Sequence, residues 1–165
     1  MRLSAELRYE ADPATVYEMI SDLKFQERKF ANTGSVSYEV TLDAHEDGGI
    51  TVTSRRELPT DRVPDFLRSF VGSTVKVQQV EEWGAAEADG VRNGNLIADL
   101  SGMPVRFTAR LSLVTSDAGT LEIVQGDLKA SVPLIGGKVE KAVEPAIKAA
   151  VAAEQRTGRD WLTGR

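Results

Sequence analysis

The sequence contains no cysteine, a single histidine and few aromatic residues, which make up 6% of its 165 residues. Without cysteine the chain cannot form disulfides, use a thiolate as nucleophile, or hold zinc or iron–sulfur centres through sulfur. The one histidine, His45, stands in the polar segment 43–47, where a solvated loop is the expected role. We therefore predict no metal site and no cofactor.

Long apolar runs are also absent, because no 18 consecutive residues are apolar and the segment that follows Met1 is charged and alternating. We expect a cytoplasmic protein without stable membrane insertion. The net charge of -5 argues against a nucleic-acid partner, since an acidic protein repels phosphates. The basic spots at Arg55–Arg56 and at Lys24 with Arg28–Lys29 have acidic neighbours, so we expect them to be solvated. No linker or repeat divides the chain, which predicts one domain over residues 1–165, as a monomer or homodimer.

The pattern of apolar residues predicts the order of the elements. A strand at residues 3–9 precedes two short helices, 13–21 and 23–31, and Asp12–Pro13 is a typical helix start. Alternation then predicts a hairpin over residues 36–58, a short helix within 64–70, and strands at 71–83, 92–101, 104–115 and 120–132. In the last strand the alternation changes phase, so we predict a bulge at Gly126.

The last segment predicts one long, slender helix from about residue 134 to residue 162. Val139, Val143, Ile147 and Val151 recur every fourth residue, and small alanines stand among and after them, at 142, 146, 149, 150, 152 and 153. Pro145 is expected to bend this helix. A helix that crosses a sheet but fills little volume indicates a cavity beneath it. The whole pattern predicts an α+β fold in which a curved antiparallel sheet of about seven strands wraps around this helix.

This order of elements resembles the START-like or SRPBCC superfamily, also called the helix-grip or birch-pollen-allergen-like fold. The segments 56–59, 64–67, 82–83, 132–140, 154–155 and 161–162 resemble an uncharacterised actinobacterial branch of it. The resemblance covers essentially the whole chain. It implies a cavity for a hydrophobic ligand between the sheet and the last helix, while the superfamily also includes cyclases and protein-binding members.

Strand alternation selects the side chains that we expect to face this cavity. Ser54, Arg56, Gln79 and Glu81 are polar residues on the inward phases, and a buried charge needs a partner. Arg56 is a candidate to anchor an acidic ligand head, while the alternative that we favour is a salt bridge between Arg56 and Glu81 at the cavity mouth, or a strand register that turns these residues outward. For the apolar positions the alternative is a filled core. The expected ligand-binding residues are Tyr38, Val40, Arg56, Phe66, Phe70, Val77, Gln79, Glu81, Trp83, Phe107, Ala109, Ile147, Ala150 and Val151.

Three functions remain open at this point. The first is the non-enzymatic binding or carriage of a small hydrophobic molecule, such as a lipid, a fatty acid or a polyketide-like compound. The second is a cyclase or aromatase in which Tyr38, Glu81 or Arg56 moves a proton or polarises a carbonyl. The third is a protein-interaction module with a vestigial cavity, whose partner contacts the helix at 24–30 or the segment 66–70.

Overall fold

The elements follow the predicted order. The computed structural model describes all 165 residues. From the amino terminus the elements are β1 (Arg2–Tyr9), α1 (Pro13–Ile20), α2 (Leu23–Ala31), β2 (Ser37–Ala44), β3 (Ile50–Pro59), α3 (Asp65–Arg68), β4 (Thr74–Trp83), β5 (Arg92–Leu100), β6 (Val105–Ser116), β7 (Gly119–Ala130) and α4 (Gly136–Leu162). None of the helices combines the length and the apolar character that a membrane span requires.

The seven strands form one antiparallel sheet in the order β1-β7-β6-β5-β4-β3-β2. The curved sheet and the long terminal helix confirm the predicted helix-grip fold. Helix α4 approaches the sheet most closely at β1 and β7, and it also packs against α1 and α2. Because β1 is an edge strand, α4 covers one side of the concave face, and α2 covers the opposite side near β2.

Local signals explain where the helices begin. The side chains of Asp12 and Asp22 accept hydrogen bonds from Thr15 N and Lys24 N, each at 2.8 Å, and so cap α1 and α2. Helix α4 has no side-chain cap and follows Leu134, the one non-glycine residue with a positive φ, at 67°. An added Cβ on Gly136 would stand 2.5 Å from Ala130 O, so glycine lets the helix begin directly against the end of β7.

The predicted bulge at Gly126 is wrong. Strand β7 pairs without interruption with both neighbours, and Gly126 stands opposite Ala109 on β6 and Leu3 on β1. The even-numbered residues face inward along the whole strand, including Glu122 and Val124. The apparent change of phase came from Leu121 and Ile123, which are only half buried on the outer face. Gly126 lacks a side chain because Phe107 and Ala109 already fill the space above it.

Large side chains fill one end of the interior. This end lies beneath α1 and α2, and the residues there are almost completely buried: Val16, Ile20, Phe25, Trp83, Leu111 and Leu113. Phe25 packs edge-to-face on Trp161 of α4, with ring centroids 5.6 Å apart. Among the expected ligand-binding residues, Trp83 belongs to this filled end of the interior. The remaining space lies along the middle of α4, beside residues 147–155.

Candidate functional site

A groove lies between the edge strand β1 and helix α4. It encloses about 210 Å³, and seven of its eleven lining residues are hydrophobic. We call it the β1–α4 groove. Gln155 and Arg159 close it on one side, because Gln155 Oε1 accepts a hydrogen bond from Arg8 N at 2.7 Å and Arg159 Nε donates one to Arg8 O at 3.2 Å. Its lining consists of Leu3, Ser4, Ala5, Glu6, Phe107, Val124, Ile147, Lys148, Val151, Ala152 and Gln155.

The slender shape of α4 accounts for this groove. Ile147 and Val151 point towards the concave face but are only half buried, and their neighbours along the helix are mostly alanine. On the sheet, Leu3 and Ala5 are half buried as well. Established ligand pockets enclose roughly 300–1,000 Å³, whereas an apolar cavity of about 150 Å³ already holds benzene. The β1–α4 groove therefore has room for a ring-sized apolar group.

A cluster of buried charged residues lies next to this groove. Lys29 Nζ donates to Glu154 Oε1 at 3.2 Å and to Glu81 Oε2 at 3.5 Å. The second oxygen of Glu81 accepts a hydrogen bond from Trp83 Nε1 at 2.7 Å. The cluster thus joins α2, β4 and α4 through charge-assisted hydrogen bonds. We call Tyr9, Lys29, Glu81, Glu122 and Glu154 the buried polar cluster.

Glu122 and Tyr9 are the two members without hydrogen-bond partners. Glu122 Oε2 and Tyr9 Oη are both buried and neither completes a hydrogen bond, although the two groups lie close enough for the Tyr9 hydroxyl to lower the pKa of Glu122 slightly against the larger raising effects. Burial, and then the negative charges of Glu154 and Glu81, hold the pKa of Glu122 well above its usual 4.5, although Lys29 opposes this. The pKa of the Tyr9 hydroxyl is likewise raised well above 10.0, by burial and then by Glu122. The Glu122 carboxyl group therefore keeps its proton to a higher pH than an exposed glutamate does.

The other charges of the cluster hold one another in place. Burial alone would lower the pKa of Lys29, but Glu154, Glu81 and Glu122 outweigh it and raise that pKa, so the ammonium group stays charged. Burial raises the pKa of Glu154, and Lys29 counteracts the effect. Arg56 lies at the α2 side of the cluster, where burial lowers its pKa. Its Nη2 donates to Gln79 Oε1 at 3.1 Å, and its guanidinium stands 4.9 Å from the centre of the Phe30 ring.

The structure brings some of the predicted ligand-binding residues together at the groove. Phe107, Ile147 and Val151 line it directly, and Ala150 is half buried next to Val151 on α4. The predicted positions on β3, β4 and β6 face the same interior beyond Phe107. These are Arg56, Val77, Gln79, Glu81, Trp83 and Ala109.

Four predicted residues lie away from the groove. Tyr38 and Val40 are on the edge strand β2, which packs against α2, and the Tyr38 side chain is 37% exposed. Phe66 belongs to α3 and lies beneath the Lys138 ammonium, which is 4.2 Å from the ring centre. Phe70 follows α3 and is 47% exposed. These side chains are not gathered into one site with Ile147 and Val151.

Two charge pairings differ from the sequence interpretation. The alternative salt bridge between Arg56 and Glu81 does not form, because Glu81 is paired with Lys29 and Arg56 bonds to Gln79. Lys29, which we expected to be solvated with Arg28, is 2% exposed. It follows Phe25 by one helical turn on the inner face of α2, so the cost of burying its charge is offset by the two carboxylates.

Sequence reasoning missed Tyr9, Lys29, Glu122 and Glu154 as site residues, yet the two acids Glu122 and Glu154 carried a signal. Glu154 follows Ile147 by seven residues and therefore shares its helix face. Glu122 shares the phase of Val124 and Leu128 on β7. In both cases the regular period placed a charge on the inner face, where single-sequence patterns lead one to expect an apolar residue.

A second, larger depression lies on the outer face of the sheet. It measures about 520 Å³ and includes Asp99, Arg106, Asp127 and Lys129, with only two hydrophobic residues in its lining. Arg106 forms a bidentate pair with Asp99, at 2.7 and 2.9 Å, so the guanidinium charge of Arg106 is already paired within the protein. No group of three histidine or acidic side chains in the molecule is arranged to hold a metal ion. The β1–α4 groove with its adjoining cluster is therefore the better candidate site.

These features give the protein the START-like, helix-grip fold. The same fold occurs in the aromatase/cyclase Zhui from Streptomyces sp. R1128, with a TM-score of 0.57, 12% identity, and coverage of 98% of this chain and 94% of that one. It also occurs in a STAR-related lipid transfer protein from Xanthomonas axonopodis, with a TM-score of 0.53, 15% identity, and coverage of 93% and 85%. At this level of identity the likeness shows a shared fold alone.

The chain belongs to the family described as "Protein of unknown function (DUF2505)", whose profile matches residues 4–162. An uncharacterized protein of Mycobacterium tuberculosis is 26% identical over 129 residues, which cover 77% of this chain and 74% of that protein. This relative confirms the predicted likeness to an actinobacterial branch of the superfamily.

Proposed function

We propose that this protein binds a small hydrophobic ligand in the β1–α4 groove. The observation that carries the proposal is the half-buried state of Ile147 and Val151, two large apolar side chains of α4 that face the concave sheet. Leu3, Phe107 and Val124 complete an apolar wall around the same space. Removal of this apolar surface from water by a ligand is favourable and stabilises the complex.

The size of the groove sets the expected affinity. An aromatic group buries about 150–250 Å² of surface, which corresponds to roughly 4–6 kcal/mol at ~25 cal/mol per Å². A single ring system should therefore bind with a Kd between about 1 mM and tens of micromolar. Longer ligands gain more only if they extend past Phe107 towards Val77 and Ala109, on the inner face of β4 and β6. At that end Arg56 remains a candidate anchor for an acidic group.

The fold relatives support this proposal without naming the ligand. One of them is called a lipid transfer protein and another an aromatase/cyclase, and both names imply contact with largely apolar molecules. The two names also differ in whether chemistry follows binding. For this chain, the groove itself favours binding, and catalysis requires a further observation.

The experiment combines native mass spectrometry of the purified protein with thermal shift against naphthalene derivatives, fatty acids and fatty alcohols. We expect co-purified small molecules or a rise in Tm with at least one apolar class. Val151→Trp fills the groove and should abolish the shift, whereas Ala149→Trp, on the exposed face of the same helix, should retain it. The absence of any bound molecule and of any shift would contradict the proposal.

A second candidate function is acid–base catalysis on such a ligand. The observation in its favour is Glu122, a buried carboxyl group that holds its proton and has a free oxygen beside the Tyr9 hydroxyl. Glu81, the acid considered from the sequence, is less suited because both of its oxygens are engaged by Trp83 and Lys29. Turnover of a poly-β-keto surrogate that depends on Glu122, with Glu82→Gln on the outer face of β4 as control, would promote this function over simple binding.

A further inference from the structure

Two polar atoms in the interior lie side by side without protein partners. Tyr9 is 2% exposed and Glu122 is 3% exposed, and neither Tyr9 Oη nor Glu122 Oε2 makes a hydrogen bond. Leaving a buried polar group unpaired costs about 1–3 kcal/mol, and most such groups in folded proteins are bonded to protein, water or a ligand. Two neighbouring groups of this kind indicate a place built to receive a polar atom.

This place adjoins the apolar groove. Glu122 stands two residues before Val124 on the same face of β7, a distance of roughly 7 Å along the strand. On α4, Glu154 follows the groove residue Val151 by three positions, slightly less than one helical turn. A substituent on a ring-sized molecule in the groove would reach Glu122 past Val124, and would reach Tyr9 beyond Leu7, which pairs with Glu122 across β1 and β7.

The surrounding charged residues determine which kind of substituent can bind beside Tyr9 and Glu122. Glu81 and Glu154 already share the Lys29 ammonium, so a ligand carboxylate here would be a further acid beside three others. Arg56, the other cation, bonds to Gln79 and lies at the α2 side of the cluster. A ligand ammonium would either displace Lys29 from its two carboxylates or lie close to its positive charge and be repelled by it. Tyr9 and a protonated Glu122 can each donate a hydrogen bond, which suits an uncharged oxygen acceptor.

We propose that Tyr9 and Glu122 form the polar end of the β1–α4 groove and bind a neutral hydroxyl or carbonyl oxygen of the ligand. This inference rests on the proposed function and adds the chemical class of the ligand to it. It assigns the recognition of the ligand head to β1 and β7, and not to Arg56 on β3.

The test uses four probes of similar size, namely naphthalene, 2-naphthol, 2-naphthoate and 2-naphthylmethylammonium, titrated calorimetrically into the full-length chain at neutral pH. We expect 2-naphthol to bind about 2–12 times more tightly than naphthalene, the effect of a net hydrogen bond of about 0.5–1.5 kcal/mol. The two charged probes should bind more weakly than naphthalene, because the groove end is desolvated.

The variants locate the effect. Tyr9→Phe and Glu122→Leu should each reduce the preference for 2-naphthol over naphthalene, and Glu122→Gln, which keeps a neutral donor, should retain it. Tyr17→Phe is the matched control, because it removes a hydroxyl that bonds to Gly48 O at 2.8 Å outside the groove. Circular dichroism and naphthalene binding report whether each variant is folded.

The outcomes separate this inference from the proposed function. If neither naphthalene nor 2-naphthol binds, the inference is overturned, and the proposed function fails with it only if the fatty acids and fatty alcohols also give no thermal shift. If naphthalene binds but 2-naphthol shows no advantage, or if 2-naphthoate binds best and depends on Arg56, the inference is overturned. Tightest binding by 2-naphthylmethylammonium would overturn it as well, since the acidic cluster would then be a cation site.

Discussion

Replacement of Lys29 by methionine tests whether the buried polar cluster holds the fold together. Methionine keeps the length and much of the volume of the lysine side chain but removes its charge. In the structure, the Lys29 side chain is 3% exposed, and its ammonium lies 3.2 Å from Glu154 and 3.5 Å from Glu81. The variant therefore leaves the carboxylates of Glu81 and Glu154 in the interior without the ammonium that they share.

The expected loss is large. Removal of one partner from a buried ion pair costs about 3–5 kcal/mol, a considerable part of the 5–15 kcal/mol that stabilises a typical domain. For a chain of this size, the loss corresponds to a fall in Tm of roughly 6–20 °C. Glu81 keeps its hydrogen bond from Trp83, and the Glu154 side chain is 19% exposed. Both features favour the lower part of the range.

The assay is urea unfolding followed by the fluorescence of Trp83 and Trp161 at pH 7. Lys24→Met, an exposed lysine at the start of the same helix, is the control and should change the free energy of unfolding by no more than about 0.5 kcal/mol. Glu154→Gln in the Lys29→Met background should recover stability, with a coupling of about 0.5–3 kcal/mol. A loss below 1 kcal/mol for Lys29→Met, or no recovery by Glu154→Gln, would refute the assignment of the cluster.

Three further predictions concern the same interior. Because the pKa of Glu122 is raised in the folded protein, its protonation stabilises the fold fully below pH 4.5, and this contribution is lost as the pH rises through the folded pKa. Glu122→Gln should therefore become more stable than the wild type as the pH increases from 4.5 to 8, and a constant difference in urea midpoint would contradict this. Gly158→Ala should lower stability by about 1–3 kcal/mol, because the new Cβ would stand 2.5 Å from Tyr9 Cε1; an unchanged Tm would contradict it. Gly126→Ala should cost a similar amount in urea unfolding, since its Cβ would stand 2.7 Å from Phe107 Cε2, while Gly137→Ala, where nothing lies within 4 Å, should not.

Much of the fold could be predicted because its signals are local. The capping residues Asp12 and Asp22, the alternation along each strand and the spacing of apolar residues on α4 depend only on near neighbours in the chain. The site was predicted in part for the same reason. Phe107, Ile147 and Val151 carry regular inward phases, and they do line the groove. Tyr38 carried an equally regular signal, but it lies on the edge strand β2, away from the groove.

The sequence by itself determined the elements, their order and the faces that become apolar, because hydrogen bonding within helices and the two-residue period of strands act over short distances. The tertiary structure alone decided which charges meet. Lys29, Glu81, Glu122 and Glu154 come from four elements, and the pKa of Glu122 is raised by its burial and then by the nearby charges of Glu154 and Glu81. Long-range pairing of this kind leaves no periodic trace, since its energy depends on distance and burial and not on spacing along the chain.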